Sequence, residues 1–529
     1  MTAHLDEFFN RPEHFDHPIE QPVRKIETHI SSVYLTGKYA YKVKKAVNFG
    51  FLDFSTLEQR CFFCNEELRL NRRFAPELYL DTVLLTDQGV ISLASAETLP
   101  LFSGTGQYAW QECAVRMRQF DPEQVLSRLS ARGALPNELL LKLADKLGAF
   151  HLEAENVAED APWGQPDNVI EPMTDNFPTL YGQLPKQRER LQRLENWTWT
   201  QRDRLADLLQ WRRNHGDIRA CHGDLHLDNI TLIDGEPVPF DGIEFNDQFR
   251  WIDPISDMSF LLMDLDARDL RPQANRILNR WLQVTGDYAG VPLLNFYKTY
   301  RALVRAKIGG LRALQLNDEA AEQQWARVLD YIALAEHYAY VRAHPAVIIM
   351  QGISGSGKST LAHQLAQGLD AVVISSDVER KRLAGMALTE RPQNETAQQR
   401  LYSAEMSRRT YAQLLKQARH VLEAGRPVIL DATYLRKSHR APALALAGEY
   451  NCPALVLSIE VGTDTCAQRI RQRMRADNDP SDASETVMHH QAEALERPTD
   501  DEPHLILDGS APLPLQTIKE RLGLPIQSA

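Results

Sequence analysis

Two groups of residues in this 529-residue chain have the types and spacing for phosphoryl chemistry. The first is Gly352-Ile-Ser-Gly-Ser-Gly-Lys-Ser-Thr360. Gly352, Gly355 and Gly357, with Ser354 and Ser356 between them, let successive backbone N–H groups turn toward one anion. Lys358 then reaches terminal phosphates, and Ser359, with Thr360 beside it, offers a hydroxyl to Mg²⁺. The second is His222-Gly-Asp-Leu-His-Leu-Asp-Asn229, followed by Phe240-Asp-Gly242. Asp224 and Asn229 have the H-x-D-x-x-x-x-N spacing, in which the aspartate accepts a hydroxyl proton and the asparagine ligates Mg²⁺. Asp241 then supplies a second metal ligand. A Gly/Ser turn before a helix, or aspartates at ordinary turns, would match either pattern only in part.

The elements around the first group fit a nucleotide cradle. Val347–Met350 has the apolar run of a buried strand, and Leu361-Ala362 continues a helix. Downstream, Ala371–Asp377, Pro427–Thr433 and Ala454–Glu460 read as further apolar strands, with a helix over Tyr402–Gly425. Strands buried on both faces predict a parallel α/β sheet that binds its ligand beyond the strands' carboxyl ends, where Gly352, Asp377 and Asp431 fall. Asp431 is placed to act on Mg²⁺ directly or through water. Asp377 is placed as general base for an acceptor hydroxyl, the alternative being a helix N-cap. Arg380, one turn on, suits an anionic acceptor. Arg469 and Arg473, spaced i, i+4 before the irregular Asp477–Ala483, read as an arginine lid over the phosphoryl group or as an ordinary basic helix face.

The second group needs a different frame. Thr28–Leu35, a turn at Thr36-Gly-Lys38 and Tyr39–Lys45 predict a hairpin. Its second strand puts Lys42 and Lys44 on one face and Tyr41 and Val43 on the other; the lysine face points into a phosphate site or is simply solvated. A helix over Ser55–Phe74 carries Glu66 and Glu67, either of which would hold the strand lysine against nucleotide phosphates. Asp81–Leu93 and Trp110–Phe120 read as more sheet, Leu135–Glu155 as an amphipathic helix, and residues 1–22, with Phe8, Phe9 and Phe15, as cover for a groove. Leu293–Leu314 and Glu319–Arg342 read as helices joined to the cradle's strand by only Ala343–Ala346, hardly a linker.

Length implies at least two domains, and 43% hydrophobic with 25% charged residues is the composition of a folded protein. A net charge of -12 argues against a broad nucleic-acid surface and favours small-molecule chemistry, leaving a 5′-hydroxyl end as the one nucleic-acid acceptor in play. No run reaches transmembrane length, and no secretory leader precedes Asp6-Glu7. The six cysteines are scattered, so a reducing cytoplasm is expected. Cys61-Phe-Phe-Cys64 lacks a second pair and reads as packing, and His489-His490 reads as surface. Oligomeric state leaves no signal.

His222–Asn229, together with Arg250-Trp-Ile-Asp-Pro-Ile-Ser-Asp257, resembles the aminoglycoside phosphotransferase family, which is similar in fold to the protein kinases. Tyr41–Thr56 and Glu66–Arg73 resemble a bacterial branch of it fused to a P-loop domain. The resemblance implies Asp224 as base, Asn229 and Asp241 as magnesium ligands and Lys42 as phosphate lysine; the sequence departs from the family in lacking a glycine-rich flap before Lys42. Gly352–Thr360, Ser376–Arg380, Leu430–Thr433 and the Arg469/Arg473 pair resemble small P-loop kinases such as polynucleotide kinase, chloramphenicol phosphotransferase and zeta toxin. The expected architecture is an α+β bilobal protein-kinase-like domain over 1–340, followed by an α/β P-loop domain with a parallel sheet over 345–529. The expected activity is Mg²⁺-dependent transfer from ATP or GTP to hydroxyls of small polar acceptors at both sites. Alternatives are a nucleotide sensor whose P-loop half gates the other, and a toxin-like kinase held by its companion.

Overall fold

Strand-forming runs, buried on both faces in the central strands, build an antiparallel sheet in the N-terminal part of the chain. The computed structural model describes residues 2–50, 52–93, 110–476, 481 and 483–525. Its chain forms two compact units: Met1–Leu143, Glu153–Pro172 and Ala206–Asp257 in one; Ala144–Leu152, Met173–Leu205 and Met258–Ala529 in the other. In the first, six strands run in the spatial order Arg24–Glu27, Ser31–Leu35, Tyr39–Lys44, Gln111–Arg118, Tyr79–Thr86, Gly89–Ser92. All neighbours are antiparallel.

The faces of that sheet are covered differently. Tyr34, Tyr41 and Val43 pack under the N-terminal helix Thr2–Phe9 through Leu5, Phe8 and Phe9, with the Phe9 ring stacked on Tyr34 at 3.9 Å. The first residues thus cover a sheet face, not a groove. Lys42 and Lys44 lie on the other face, and that face is buried, not solvated. Against it lies the helix Leu57–Asn71, which begins at a Thr56/Gln59 capping box. Two buried links tie this helix to the strand Gln111–Arg118: a bidentate Arg60–Glu112 ion pair and a Cys61–Cys113 disulfide. The C-x-x-C spacing is therefore incidental: Cys61 pairs across 52 positions while Cys64 stays a free, buried thiol.

In the second unit, five parallel strands run in the order Val372–Ser375, Pro427–Asp431, Ala346–Gln351, Ala454–Glu460, His504–Asp508. The central strand Ala346–Gln351 is buried at every position, as its apolar run predicts. The helices Leu294–Ala313 and Asp318–Tyr340 pack in a second core containing Phe177, Leu194, Phe260, Leu303 and Ile332. The helix Arg271–Thr285 meets the sheet's edge strand: Asn279 Nδ2 donates to the Ala371 carbonyl at 3.0 Å, and its Oδ1 accepts the Val373 N–H at 2.7 Å. Asn275 donates to the same carbonyl at 2.9 Å. Side-chain amides thus satisfy edge groups that would otherwise be open. Among the described residues no helix is long and apolar enough to cross a membrane.

Candidate active sites

In the first unit, the strand lysines and the helix glutamate form one buried chain of charge. Lys42 Nζ donates to Glu67 Oε1 at 2.7 Å and also to Asp241 Oδ1; Lys44 Nζ donates to Glu67 Oε2 at 2.8 Å and also to Glu244. Glu66 instead pairs with Arg69 one turn on, near the surface, which decides between the two glutamates. Burial alone would raise the Glu67 carboxyl, but the two ammonium groups hold it well below its usual range. Burial would likewise lower Lys42, and the carboxylates of Asp241 and Glu67 outweigh it, so Lys42 stays charged.

The loop around Asp224 is fixed from beneath. Buried Asp257 accepts the His222 and Gly223 N–H groups, each at 3.0 Å, so the aspartate that ends Arg250–Asp257 positions the loop. Gly223 has φ +85°, and a Cβ there would sit 2.7 Å from the Phe249 carbonyl oxygen, which only glycine avoids. His222 Nε2 donates to the Phe240 carbonyl at 2.9 Å while its Nδ1 accepts the Asp224 N–H at 3.3 Å; burial lowers its pKa, which keeps this neutral form. Asn229 Nδ2 donates to Asp224 Oδ2 at 2.9 Å, aiming the carboxylate. The hairpin Ile230–Ile233/Glu236–Pro239 folds Asn229 back beside Asp241, through a Phe240 N–H to Asn229 carbonyl bond of 2.9 Å. The side-chain oxygens of Asn229 and Asp241 are hard donors of the kind Mg²⁺ takes, and Asp241 is 44% exposed at its side chain, so the residues fit that ion.

Where a glycine-rich flap would stand, the strands Arg24–Glu27 and Ser31–Leu35 close in a turn braced by Thr28 Oγ1, which accepts the Ser31 N–H at 2.9 Å. The Asp241 loop has supports that no motif announced. Tyr79 Oη accepts the Asp241 N–H at 2.9 Å, and the Asn71 side chain accepts the Gly242 N–H at 2.8 Å while donating to its carbonyl at 3.3 Å.

In the second unit, register aligns the strand ends: Asp431 lies opposite Met350 on one side and Ser375 on the other. Gly352, Asp431 and Asp377 therefore gather at the carboxyl ends of these strands. Asp377 is half-buried at the second position of the helix Ser376–Leu383, whose cap is Ser375, so the N-cap alternative does not hold. Gly355, at φ +82°, lies so close to the helix Thr463–Ala476 that a Cβ would sit 2.5 Å from the Cys466 carbonyl oxygen. Lys358 Nζ donates to the Ile353 carbonyl at 2.8 Å, and Ser359 and Thr360 are exposed in the first helical turn. The buried Ser356 hydroxyl has no hydrogen-bond partner among the described residues.

Arg469 reaches the cradle, donating to the Ser356 carbonyl at 3.0 Å and to Gly509 at 3.3 Å. Arg473 belongs to the same helix, and its side chain, like residues 477–480 and 482 of the expected lid, lies outside the described residues. Arg380 is buried, stacked on the Tyr402 ring at 4.9 Å with Nη1 on Ser407 at 3.3 Å, and its Nε has no hydrogen-bond partner among the described residues. No local motif points to Gln491, whose Oε1 accepts the Ser354 N–H at 2.7 Å. A cleft of about 450 Å³ lined by Glu460, Val461, Gly462 and Ile506–Asp508 opens at the ends of the last two strands.

Comparison with known proteins finds two matching stretches of the chain. The family model described as "Phosphotransferase enzyme family" matches residues 84–294, and the one described as "AAA domain" matches residues 347–498. The uncharacterized protein Rv2004c of Mycobacterium tuberculosis is 31% identical over 468 residues, covering 88% of this chain and 89% of its own. Mb2027c of Mycobacterium bovis matches to the same extent. Among solved structures, a choline kinase from Cryptosporidium parvum aligns over 64% of this chain and 96% of its own at 10% identity and TM-score 0.37. A sugar kinase from Janibacter aligns over 34% and 95% at 20% identity and TM-score 0.26. A phosphotransferase-family match and an AAA-domain match in one chain imply nucleotide use and a phosphotransferase role.

Proposed function

The chain belongs to the family of these mycobacterial proteins, and we propose that it is a bifunctional phosphotransferase acting on hydroxyl groups of small polar molecules. One activity is assigned to residues 1–340 and the other to residues 345–529, both drawing on ATP, with GTP as the other donor to test. The observation that carries this is the doubled set of parts: a base, a phosphate lysine and oxygen donors for a metal occur twice.

At the first site, Asp224 accepts the proton of the acceptor hydroxyl, its carboxylate aimed by Asn229. Lys42, held by Glu67, binds the donor's phosphates, and Asn229 and Asp241 would hold Mg²⁺. At the second, the backbone of Gly352–Gly357 with Lys358 cradles the phosphates. Asp377 serves as base, and Ser359 with Asp431 would hold Mg²⁺. Bound there, Mg²⁺ offsets charge on the phosphates. Arg380 orients an anionic part of the acceptor, and Arg469 and Arg473 stabilise the transferring phosphoryl group.

The experiment is an acceptor screen with labelled ATP on wild type, Asp224→Ala and Lys358→Ala. Each variant should lose a different labelled product; a product set unchanged in either variant would remove that site from the assignment. A gating role for the P-loop half is favoured by one contact. Arg382, on the helix that carries Asp377, donates to the Gln283 carbonyl at 2.7 Å at the end of the helix Arg271–Thr285. Transfer that needs nucleotide at both sites would favour gating, and independent turnover would oppose it.

A further inference from the structure

The lysine strand brings two ammonium groups under the glutamate helix, and the chemistry above uses only one. Lys44 is 1% exposed at its side chain and Glu244 is 4% exposed, yet neither touches the open side of the site. Burying such a pair costs several kcal/mol per ion before their attraction offsets it, so the pair is poorly explained as packing. Its geometry offers a better explanation. Glu67 gives one oxygen to each lysine, so it cannot take Lys42 with both and draw that ammonium away from the phosphates. Lys44 then reaches Glu244, three residues beyond Asp241, so the same strand grips both ends of Asp241-Gly-Ile-Glu244. At its first residue the loop is strained: Asp241 has φ +62°, a conformation that needs surrounding restraint. Tyr79 holds the Asp241 N–H, Asn71 the Gly242 N–H and the His222 carbonyl the Ile243 N–H at 2.9 Å; Lys44, through Glu244, anchors the far end.

We propose that Lys44 and Glu244 are positioning residues that hold the carboxylate of Asp241 in place for a divalent cation. The proposal rests on the nucleotide-binding reading of this unit. Its test uses the full chain carrying Lys358→Ala, which silences the other cradle, and follows binding of a non-hydrolysable ATP analogue by calorimetry as Mg²⁺ is titrated.

Adding Glu244→Gln should raise the Mg²⁺ concentration needed for half-maximal binding about tenfold, the usual order for an outer-shell partner. Affinity for metal-free ADP should stay unchanged, and hydrogen exchange in residues 241–244 should quicken. The double change Lys44→Met/Glu244→Leu replaces the pair by apolar side chains, a swap that folded proteins tolerate. It should give the same Mg²⁺ shift with an undiminished thermal midpoint, and it decides the matter if Glu244→Gln does not fold. Folded variants that titrate like the parent, or that lose metal-bound and metal-free affinity by the same factor, would overturn the proposal. A parent chain that binds no nucleotide would instead overturn the assignment of the first site.

Discussion

Asp224 carries the account at the residue scale. Its carboxylate is oriented by Asn229 and by a loop hung on Asp257, so replacing it by asparagine should leave nucleotide binding intact and remove the proton acceptor. Asp224→Asn should lower kcat for the first acceptor by about 10²- to 10⁴-fold with little change in KM for ATP, measured by initial rates. Asp224, Asn229 and Asp241 were legible because their spacing is local. The lysine and glutamate choices were not: a period of two puts Lys42 and Lys44 on one face without saying that helix packing buries it. Adjacent glutamates on a helix differ only in direction, and packing selects Glu67. Glu244 pairs with a lysine 200 positions away, and Gln491 meets the cradle 137 positions away; no local pattern records such bonds.

Among the elements, the parallel sheet was readable because apolar runs and strand-end residues point the same way. What covers the antiparallel sheet was less readable, since a helix of eight residues carrying three anchoring side chains has little periodicity to show. The contact of the helix Arg271–Thr285 with the edge strand was invisible for the same reason as Glu244. Asn279 is the partner of the Val373 N–H, while Asn275 also holds the Ala371 carbonyl, so Asn279→Leu should cost about 1–3 kcal/mol for the one N–H left unpaired, read as a lower midpoint in urea.

The helix Lys358–Leu369, which follows the cradle, contributes a pH dependence. Burial, and then Arg276 and Arg280, push the His363 imidazole down from 6.5 to about 4. Its neutral form is favoured in the folded state, so in the window between those values the unfolded chain binds more protons. The contribution is complete above about pH 6.5 and is lost as pH falls toward about 4. His363→Gln should therefore lose less thermal stability than wild type between about pH 7 and about pH 5. Equal losses would assign the acid sensitivity elsewhere.

For the whole molecule, the central claim is that one chain holds two nucleotide sites of different construction. The short connection after Tyr340 and the shared packing of helices and parallel sheet within the second unit argue against a tethered pair of independent modules. The most direct measurement is the stoichiometry of Mg²⁺-bound, non-hydrolysable ATP analogue per chain, by calorimetry on wild type, Lys358→Ala, Asp241→Asn and the double variant. Two per chain in wild type, one in each single variant and none in the double variant is the predicted result. One per chain in wild type, or two surviving in Lys358→Ala, would contradict it.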